Sequence, residues 1–216
     1  MNDAEIKQVV DFSIVLLHDQ MLDKQGKIST TSLTLIDLHD IARSARTYGV
    51  HTAYFAHPSS VLRKLARTLK THWESGFGAR YNPARHQALS GIDVVSDLDE
   101  AIHKIDLRTG KLPLLVATSA KLGEGRVSFK ELRWRIHNEH NQPYLLMLGT
   151  GWGMSEKLLN RADLFLEPIV GPGDYNHLSV RSACAIMLDR LLAPYSVSEQ
   201  SQHKKPQADP VPAKGN

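Results

Sequence analysis

One stretch, residues 143–192, constrains the fold more than any other part of this chain. Residues 144–148 form a continuous apolar run, which is short for a helix and predicts a strand buried on both faces. The run ends in Gly149, Gly151 and Gly153, which alternate with other residues. Glycines at the carboxyl end of a strand permit positive φ and bring bare N–H groups close to a ligand. The pattern therefore predicts a loop that holds a cofactor.

The same arrangement repeats directly afterwards. Residues 164–166 predict a second short strand, and the glycine- and proline-rich residues 167–173 predict a second loop. A last helix is predicted from Asn176, as its N-cap, to Leu192. From residue 180 onward its apolar surface is interrupted only by Arg181, Ser182, Asp189 and Arg190. We expect a helix so apolar to be buried nearly all round.

The chain before residue 143 alternates predicted strands and helices. Strands are predicted at residues 12–17, 51–55, 92–95 and 112–117, and helices at residues 33–48, 59–73, 97–105 and 129–140. This βα alternation predicts an α/β fold with a mostly parallel sheet and helices on both faces. Residues 18–32 predict a long loop, either functional or mobile. Residues 74–90 predict an irregular excursion whose Arg, Tyr and His side chains could stack on bases and hold phosphates.

The charge pattern leaves two interpretations open. A net charge of +3 and a pI near 8.9 are mild for a dedicated nucleic-acid domain. In the predicted helix at residues 59–73, basic residues fall between apolar residues at helical spacing, namely Arg63, Lys64, Arg67 and Lys70. Such a face is either simply solvated or a surface that contacts phosphates.

Several features predict a cytoplasmic protein. No apolar run approaches the roughly 20 residues that span a bilayer, and residues 1–5 lack the basic segment and apolar core of a signal peptide. The single cysteine, Cys184, lies in the last apolar helix and is expected to be an inert packed thiol. Residues 196–216 are rich in Ser, Gln, Lys and Pro and are expected to be disordered.

Four motifs in the same order resemble one protein family. They are an arginine-bearing segment that ends in Tyr-Gly-Val at residues 41–50, Gly-Thr-Gly-Trp-Gly at 149–153, Glu-Pro-Ile-Val-Gly at 167–171, and Asn-His-Leu-Ser-Val-Arg-Ser-Ala at 176–183. Together they resemble the SPOUT class of S-adenosylmethionine-dependent RNA methyltransferases. The resemblance covers most of residues 12–195. It implies a single domain over residues 1–195 with a C-terminal trefoil knot, a tRNA or rRNA substrate, and a homodimer, which the apolar last helix also favours.

The resemblance also implies where S-adenosylmethionine binds. In the family the cofactor lies in a cleft between the loop after the strand that here ends at Ala117, the loop at residues 149–153, and the turn at residues 169–179. Seven residues are therefore expected to contact it, largely through the main chain: Thr118, Gly149, Gly151, Ile169, Gly171, Leu178 and Ser179.

For the reacting side, the resemblance indicates the predicted helix at residues 33–48. Methyl transfer is an in-line displacement, so the protein must position the methyl group and handle the proton of the nucleophile. Arg43 matches the family's arginine, whereas Asp37 replaces the asparagine of ribose-methylating members. Asp174 is an alternative proton acceptor, because the Gly-Asp-Tyr around it resembles the loop of base-methylating members. Asp40 and Arg43, three residues apart, could instead form a surface ion pair.

Two other functions remain open at this stage. The glycines of residues 149–153, with Glu167 as a ribose-binding acid, could belong to a Rossmann-type enzyme, although Met154 stands at the third glycine position. A noncatalytic RNA-binding protein that kept the fold is the second, and the replacement at Asp37 favours it. His137 and His140 lack a third ligand at a recognisable spacing, so no metal is expected.

Overall fold

The computed structural model describes residues 11–75, 77–121, 123–139 and 141–194. The strands are β1 (Phe12–Leu17), β2 (Met21–Leu22), β3 (Ile28–Ser29), β4 (Ala53–Ala56), β5 (Ile92–Val95), β6 (Leu114–Ala117), β7 (Tyr144–Gly149) and β8 (Leu164–Phe165). The helices are α1 (Leu35–Thr47), α2 (Ser60–Glu74), α3 (Phe77–Tyr81), α4 (Pro83–Ser90), α5 (Leu98–Thr109), α6 (Phe129–Asn138), α7 (Glu156–Leu159) and α8 (Val180–Leu192). The predicted tail lies outside the described residues, and the single domain over residues 1–195 stays a prediction.

Six strands form one parallel sheet in the order β5-β4-β1-β7-β6-β8, while β2 and β3 pair as a separate antiparallel hairpin. Every residue of β1 is buried, as a central strand covered on both faces requires. Side chains alternate along β1, so Ile14 and Leu16 face one hydrophobic cluster and Val15 and Leu17 face the other. The predicted α/β fold with a mostly parallel sheet is thereby confirmed.

Helices cover the two faces unequally. The first cluster contains residues of α1, α2, α4, α6 and α8, whereas α5 and α7 cover the opposite face. Among the described residues, no helix combines the length and the apolar character needed to cross a membrane.

The strand order separates this fold from a Rossmann-type sheet. When the six strands of this sheet are numbered 1 to 6 along the chain, their order across the sheet is 3-2-1-5-4-6. A dinucleotide-binding fold has the fourth strand next to the first. Here β7 lies between β1 and β6, so the glycine loop after β7 lies at the middle of the sheet. The Rossmann alternative is therefore wrong, and the trefoil knot stays a prediction.

The basic face of α2 covers an edge of the sheet. β5 is an edge strand, and two of its outward carbonyls accept hydrogen bonds from α2: Arg67 Nη2 donates to Val94 O at 2.8 Å and Lys70 Nζ to Ile92 O at 2.7 Å. Arg63 donates to two main-chain carbonyls that precede α2. Cations that occupy the free carbonyls of an edge strand block its pairing with another strand. These three side chains hydrogen-bond the protein itself, and the two interpretations of the α2 face, solvated or phosphate-contacting, both stay predictions.

Most of the described residues between 74 and 90 are helical, in α3 and α4, contrary to the prediction of an irregular excursion. Asn82 caps α4, because its side chain accepts from Arg85 N at 3.0 Å, and Pro83 occupies the first turn. Ala88 and Leu89 are buried in the cluster that includes residues of α1. The Asn-Pro pair was the sequence signal for this helix, and the short length of both helices concealed their periodicity.

The last helix also departs from the prediction. It begins at Val180 rather than Asn176, and its N-cap is Ser179, whose side chain accepts from Ser182 N at 3.2 Å. Only one side of α8 is buried, at Cys184, Met187, Leu188 and Leu191. The expectation of burial all round is therefore wrong for a single copy of the chain. Burial raises the pKa of the Cys184 thiol to about 12, consistent with the expected inert thiol.

Candidate active site

A cavity of about 870 Å³ opens at the carboxyl ends of β6 and β7. Its lining comes from the loop after β6, the glycine loop after β7, and the segment that leads into α8, with Thr31, Ser32 and Asp37 from the N-terminal part of the chain. This volume lies within the usual range for small-molecule sites. The carboxyl ends of parallel strands are also where α/β sheets bind ligands.

Eight of the ten predicted site residues line this cavity: Asp37, Thr118, Gly149, Gly151, Ile169, Asp174, Leu178 and Ser179. Gly171 and Arg43 lie outside the lining, and Arg43 is exposed on α1. The structure therefore brings the three predicted cofactor segments together around one space. The roles of the individual residues stay predictions.

Hydrogen bonds tie the walls of the cavity to one another. Thr118 Oγ1 donates to Met147 O at 2.8 Å and anchors the loop after β6 to the neighbouring strand. Asn176 Nδ2 donates to Ala120 O at 3.1 Å and joins that loop to the segment before α8. The predicted N-cap residue, Asn176, thus links two walls of the cavity instead of capping the helix.

The third wall, the glycine loop, is held by the hairpin of β2 and β3. This hairpin lies within residues 18–32, which were predicted to be a loop. Leu22 N donates to Gly153 O at 2.8 Å, and Trp152 N donates back to Leu22 O at 3.1 Å. Ser155 N donates to Gln20 O at 2.9 Å, and the Oγ1 atoms of Thr31 and Thr150 lie 2.5 Å apart. The N–H group of Trp152 therefore bonds to the hairpin, whereas that of Gly153 bonds within the loop to Thr150 O at 3.2 Å.

Close packing against the hairpin explains the glycine at position 151. Its φ is +60°, and an added Cβ would lie 3.1 Å from Thr31 Cγ2 and 3.2 Å from Leu22 O. At Gly149 an added Cβ would lie 2.9 Å from Met154 Cγ. Gly151 therefore permits the close approach of loop and hairpin, and Gly149 leaves room for Met154. No sequence pattern predicted this approach, because strands of two residues are too short to show a periodicity.

A buried ion pair joins the first turns of α1 and α8. Asp37 is only 6% exposed, and its Oδ1 accepts from Arg181 Nη1 at 2.7 Å. The hydroxyl of Thr34 donates to the other carboxylate oxygen. Arg181 Nε also lies 3.4 Å from Asp40 Oδ2. We call Asp37, Asp40 and Arg181 the clasp.

The clasp contradicts the expected ion pair of Asp40 and Arg43, and it adds Arg181 to the residues of the candidate site. Asp40 pairs with Arg181 rather than with Arg43, and among the described residues Arg43 forms no ion pair. In the sequence, Arg181 was noted only as an interruption of an apolar helix. A cation in the first turn of such a helix was the available signal, because helix N-termini favour anions there instead.

Two histidines support the hairpin from behind. His57 Nδ1 accepts from Ser59 N, so its Nε2 carries the proton and donates to Thr31 O at 3.1 Å. His18 is fully buried, and its Nδ1 donates to Ala56 O at 3.0 Å. Burial lowers the pKa of His18 despite that carbonyl, so the ring is neutral. Both imidazoles thus hydrogen-bond main-chain carbonyls close to the hairpin.

Large exposed apolar side chains lie on the glycine loop and on the segment between β8 and α8. Trp152 is 62% exposed, Val170 66% and Tyr175 80%. Trp152 also lines the cavity. Exposed apolar side chains of this kind mark a surface that another molecule covers.

Glu167 does not act as the ribose-binding acid that the Rossmann alternative required, because its carboxylate binds the start of α6. Its Oε1 accepts from Phe129 N at 2.6 Å, at the first turn of α6. The carboxylate therefore satisfies a free N–H group at a helix N-terminus. It serves the packing of α6 against the end of β8.

Comparison with known proteins identifies the family. A family model described as SAM-dependent RNA methyltransferase matches residues 11–193. An uncharacterized protein of Aquifex aeolicus is 42% identical over 180 residues, which are 83% of this chain and 87% of that protein. A tRNA (guanine-N(1)-)-methyltransferase of Nitratidesulfovibrio vulgaris is 42% identical over 177 residues, which are 82% of this chain and 41% of that protein. The chain spans less than half of this second relative, whose name does not say which part acts on guanine.

A solved structure supports the fold. The SpoU methyltransferase AviRb of Streptomyces viridochromogenes, in complex with the cofactor AdoMet, has a TM-score of 0.51 and 16% identity, and the match covers 89% of this chain and 62% of that one. This likeness shows the SPOUT fold predicted from the motifs. S-adenosylmethionine, the cofactor expected from the same motifs, is the cofactor of the matching family. The chain belongs to the family of S-adenosylmethionine-dependent RNA methyltransferases.

Proposed function

We propose that this chain transfers the methyl group of S-adenosylmethionine to a base of tRNA in the cytoplasm. The observation that carries the proposal is the cavity of about 870 Å³, because its walls are the three segments expected to hold the cofactor. The name of the Nitratidesulfovibrio relative supports tRNA over rRNA. The replacement of asparagine by Asp37 and the Gly-Asp-Tyr at residues 173–175 favour a base over a ribose hydroxyl.

The residues of the cavity fit the cofactor chemically. Ile169, Leu178 and Met187 offer an apolar surface for the adenosine part. Lys121 offers a positive charge for the carboxylate of the methionine part. When bound there, S-adenosylmethionine supplies a methyl group activated by the positive sulfur.

We assign different roles to the two candidate carboxylates. Asp174 lines the cavity, is exposed, and forms no ion pair among the described residues. It is therefore available to accept the proton that the methylated base nitrogen releases. Asp37 already accepts hydrogen bonds at both oxygens, so its role is to position α1 against α8. Arg43, exposed on α1 outside the cavity, is available for a phosphate of the RNA.

We further propose that the chain works as a homodimer. Exposed apolar side chains at Trp152, Val170 and Tyr175, together with the half-exposed α8, support this assembly. A second copy that covers apolar surface of this extent removes it from water. Sedimentation velocity at micromolar concentration tests the dimer, and a monomer at that concentration would contradict it.

Two measurements test the reaction. Calorimetric titration with S-adenosylmethionine and S-adenosylhomocysteine is expected to give saturable binding of both. Transfer of a tritiated methyl group to an unmodified tRNA transcript is expected with the unchanged chain and about 100-fold slower with Asp174→Asn. Exposed Asp99 lies on α5, across the sheet from α1 and α8, and Asp99→Asn is the matched control with unchanged transfer.

The alternative of a noncatalytic RNA-binding protein predicts a different pattern. In that case RNA binds, but neither cofactor compound does and no methyl group is transferred to tRNA or rRNA. Transfer that is unchanged by Asp174→Asn would contradict the role of Asp174 alone and leave the reaction standing.

A further inference from the structure

A pair of aromatic rings projects from α3 into solvent. Phe77 and Tyr81, four residues apart, are each 75% exposed. Their ring centroids lie 5.9 Å apart with an interplanar angle of 23°, so the rings are stacked side by side. Large aromatic side chains usually bury most of their surface in a folded chain. Two neighbouring rings held in parallel offer flat surfaces on which unpaired bases stack.

Positive charge surrounds these rings. Arg80 is exposed on the same helix and forms no ion pair among the described residues. The guanidinium of Arg85 lies 4.8 Å from the ring centroid of Trp73. Residues 75–90 contain no Asp or Glu. This segment therefore differs from α2, whose cations Arg67 and Lys70 are taken by carbonyls of β5.

The helix α4 joins this surface to the active site. Ala88 of α4 and Ala42 of α1 are buried in the same cluster. The first turn of α1 carries Asp37 in the cavity, and Arg43 follows roughly 9 Å further along the helix. Both Arg85 and Arg43 contribute to the lowered pKa of His39, after its burial, so both lie near that ring. Positive charge thus extends from α3 and α4 to Arg43 on α1, about one to two turns beyond the Asp37 and Asp40 carboxylates.

We propose that Phe77, Tyr81, Arg80 and Arg85, here called the α3 platform, bind an unpaired segment of the RNA substrate outside the cofactor cavity. The rings stack on bases and the guanidinium groups bind phosphates. Because α3 packs against α4, and α4 packs against α1, the platform holds the RNA at a defined distance from the methyl group. The proposal rests on the proposed RNA methyl transfer and adds the place where the substrate is recognised.

The test uses the full chain, a fluorescent single-stranded oligonucleotide and an unmodified tRNA transcript. In fluorescence anisotropy, Phe77→Ala with Tyr81→Ala is expected to raise the dissociation constant for both RNAs about 10- to 100-fold. The affinity for S-adenosylhomocysteine and the sedimentation coefficient are expected to stay unchanged. Arg80→Gln is expected to reduce the slope of log Kd against log salt by about 0.7.

Leu107→Ala is the matched control, because Leu107 is 73% exposed on α5 at the opposite face of the sheet. RNA affinity that Phe77→Ala with Tyr81→Ala leaves unchanged would overturn the platform while the methyl transfer stands. A variant that becomes monomeric while the unchanged chain is dimeric would also overturn it, because the rings would then contact a second copy. If the unchanged chain binds no RNA, the proposed function itself fails.

Discussion

The cavity wall and the α3 platform differ in where their polar and aromatic groups find partners. At the wall, Asp37 binds Arg181, and the main chain of the glycine loop binds the hairpin. On the platform, Phe77, Tyr81 and Arg80 face solvent. A site that is already bonded internally loses little freedom when a small cofactor enters, whereas an exposed surface awaits a partner. The cofactor side is thus preorganised, and the RNA side is left for the substrate to complete.

The largest effect on stability is expected from a substitution whose new side chain would push the glycine loop away from the hairpin. Gly151→Val places a branched side chain at a φ of +60° and a Cβ 3.1 Å from Thr31 Cγ2. We expect the free energy of unfolding to fall by about 3 kcal/mol, and the affinity for S-adenosylhomocysteine to fall at least about 10-fold. Thermal unfolding and calorimetry measure the two effects.

The control for this change is Gly26→Val in the hairpin. Gly26 has a φ of +78° but no atom within 4 Å of an added Cβ. It therefore carries only the backbone cost, about 1–2 kcal/mol, and cofactor affinity is expected to be retained. Equal losses of cofactor affinity in both variants would contradict the role of loop packing.

The clasp is expected to give the next largest effect. Asp37→Ala leaves Arg181 without its buried partner, and we expect a loss of about 2–3 kcal/mol in urea unfolding. The double variant with Arg181→Ala is expected to lose less than the sum, with a coupling of about 1–2 kcal/mol. The exposed pair of Asp99 and Arg161 serves as control, with a coupling below about 0.5 kcal/mol. Similar couplings for the two pairs would show that the clasp behaves as a surface pair.

The basic residues of α2 and those of the α3 platform are expected to affect different properties, stability in the first case and RNA affinity in the second. Arg67→Ala removes the donor to Val94 O and is expected to cost about 1 kcal/mol of stability with no change in RNA affinity. Arg80→Ala is expected to weaken RNA binding and to leave stability within about 0.5 kcal/mol. Chemical unfolding and anisotropy on both variants decide the point. If Arg67→Ala weakens RNA binding as much as Arg80→Ala does, the distinction between the surfaces is wrong.

The smallest effect concerns the neutral His18 beneath the hairpin. Burial holds its pKa below the ordinary value of 6.5, so below that pH the unfolded chain binds a proton that the folded chain does not. Stability from this residue is therefore fully present above about pH 6.5 and falls as the pH drops further. His18→Gln is expected to reduce the fall in stability between pH 7.5 and 5.5. Exposed His103→Gln is the control, and an equal reduction there would refute the effect of burial.

The candidate site was predictable where its residues lie beside a strong local pattern. Three strands, at residues 12–17, 92–95 and 144–149, match the predictions nearly to the residue, because continuous apolar runs mark buried strands. Most of the predicted cofactor-contacting residues were found for the same reason, since the glycine-rich loops follow such runs. The hairpin and α3 escaped prediction because elements of two to five residues are shorter than the patterns that reveal them.

By itself, the sequence determined the α/β class, the order of the six sheet strands along the chain, and the loops that line the candidate cavity. The tertiary structure decided that β7 lies between β1 and β6, that Asp37 meets Arg181, and that Thr31 meets Thr150. These partners are 144 and 119 residues apart, beyond the reach of any helical or strand period. Local propensity acts over a few residues, whereas packing of the whole chain selects which distant groups come into contact. For that reason the contacts of Arg181 and of the hairpin could be identified only in the folded molecule.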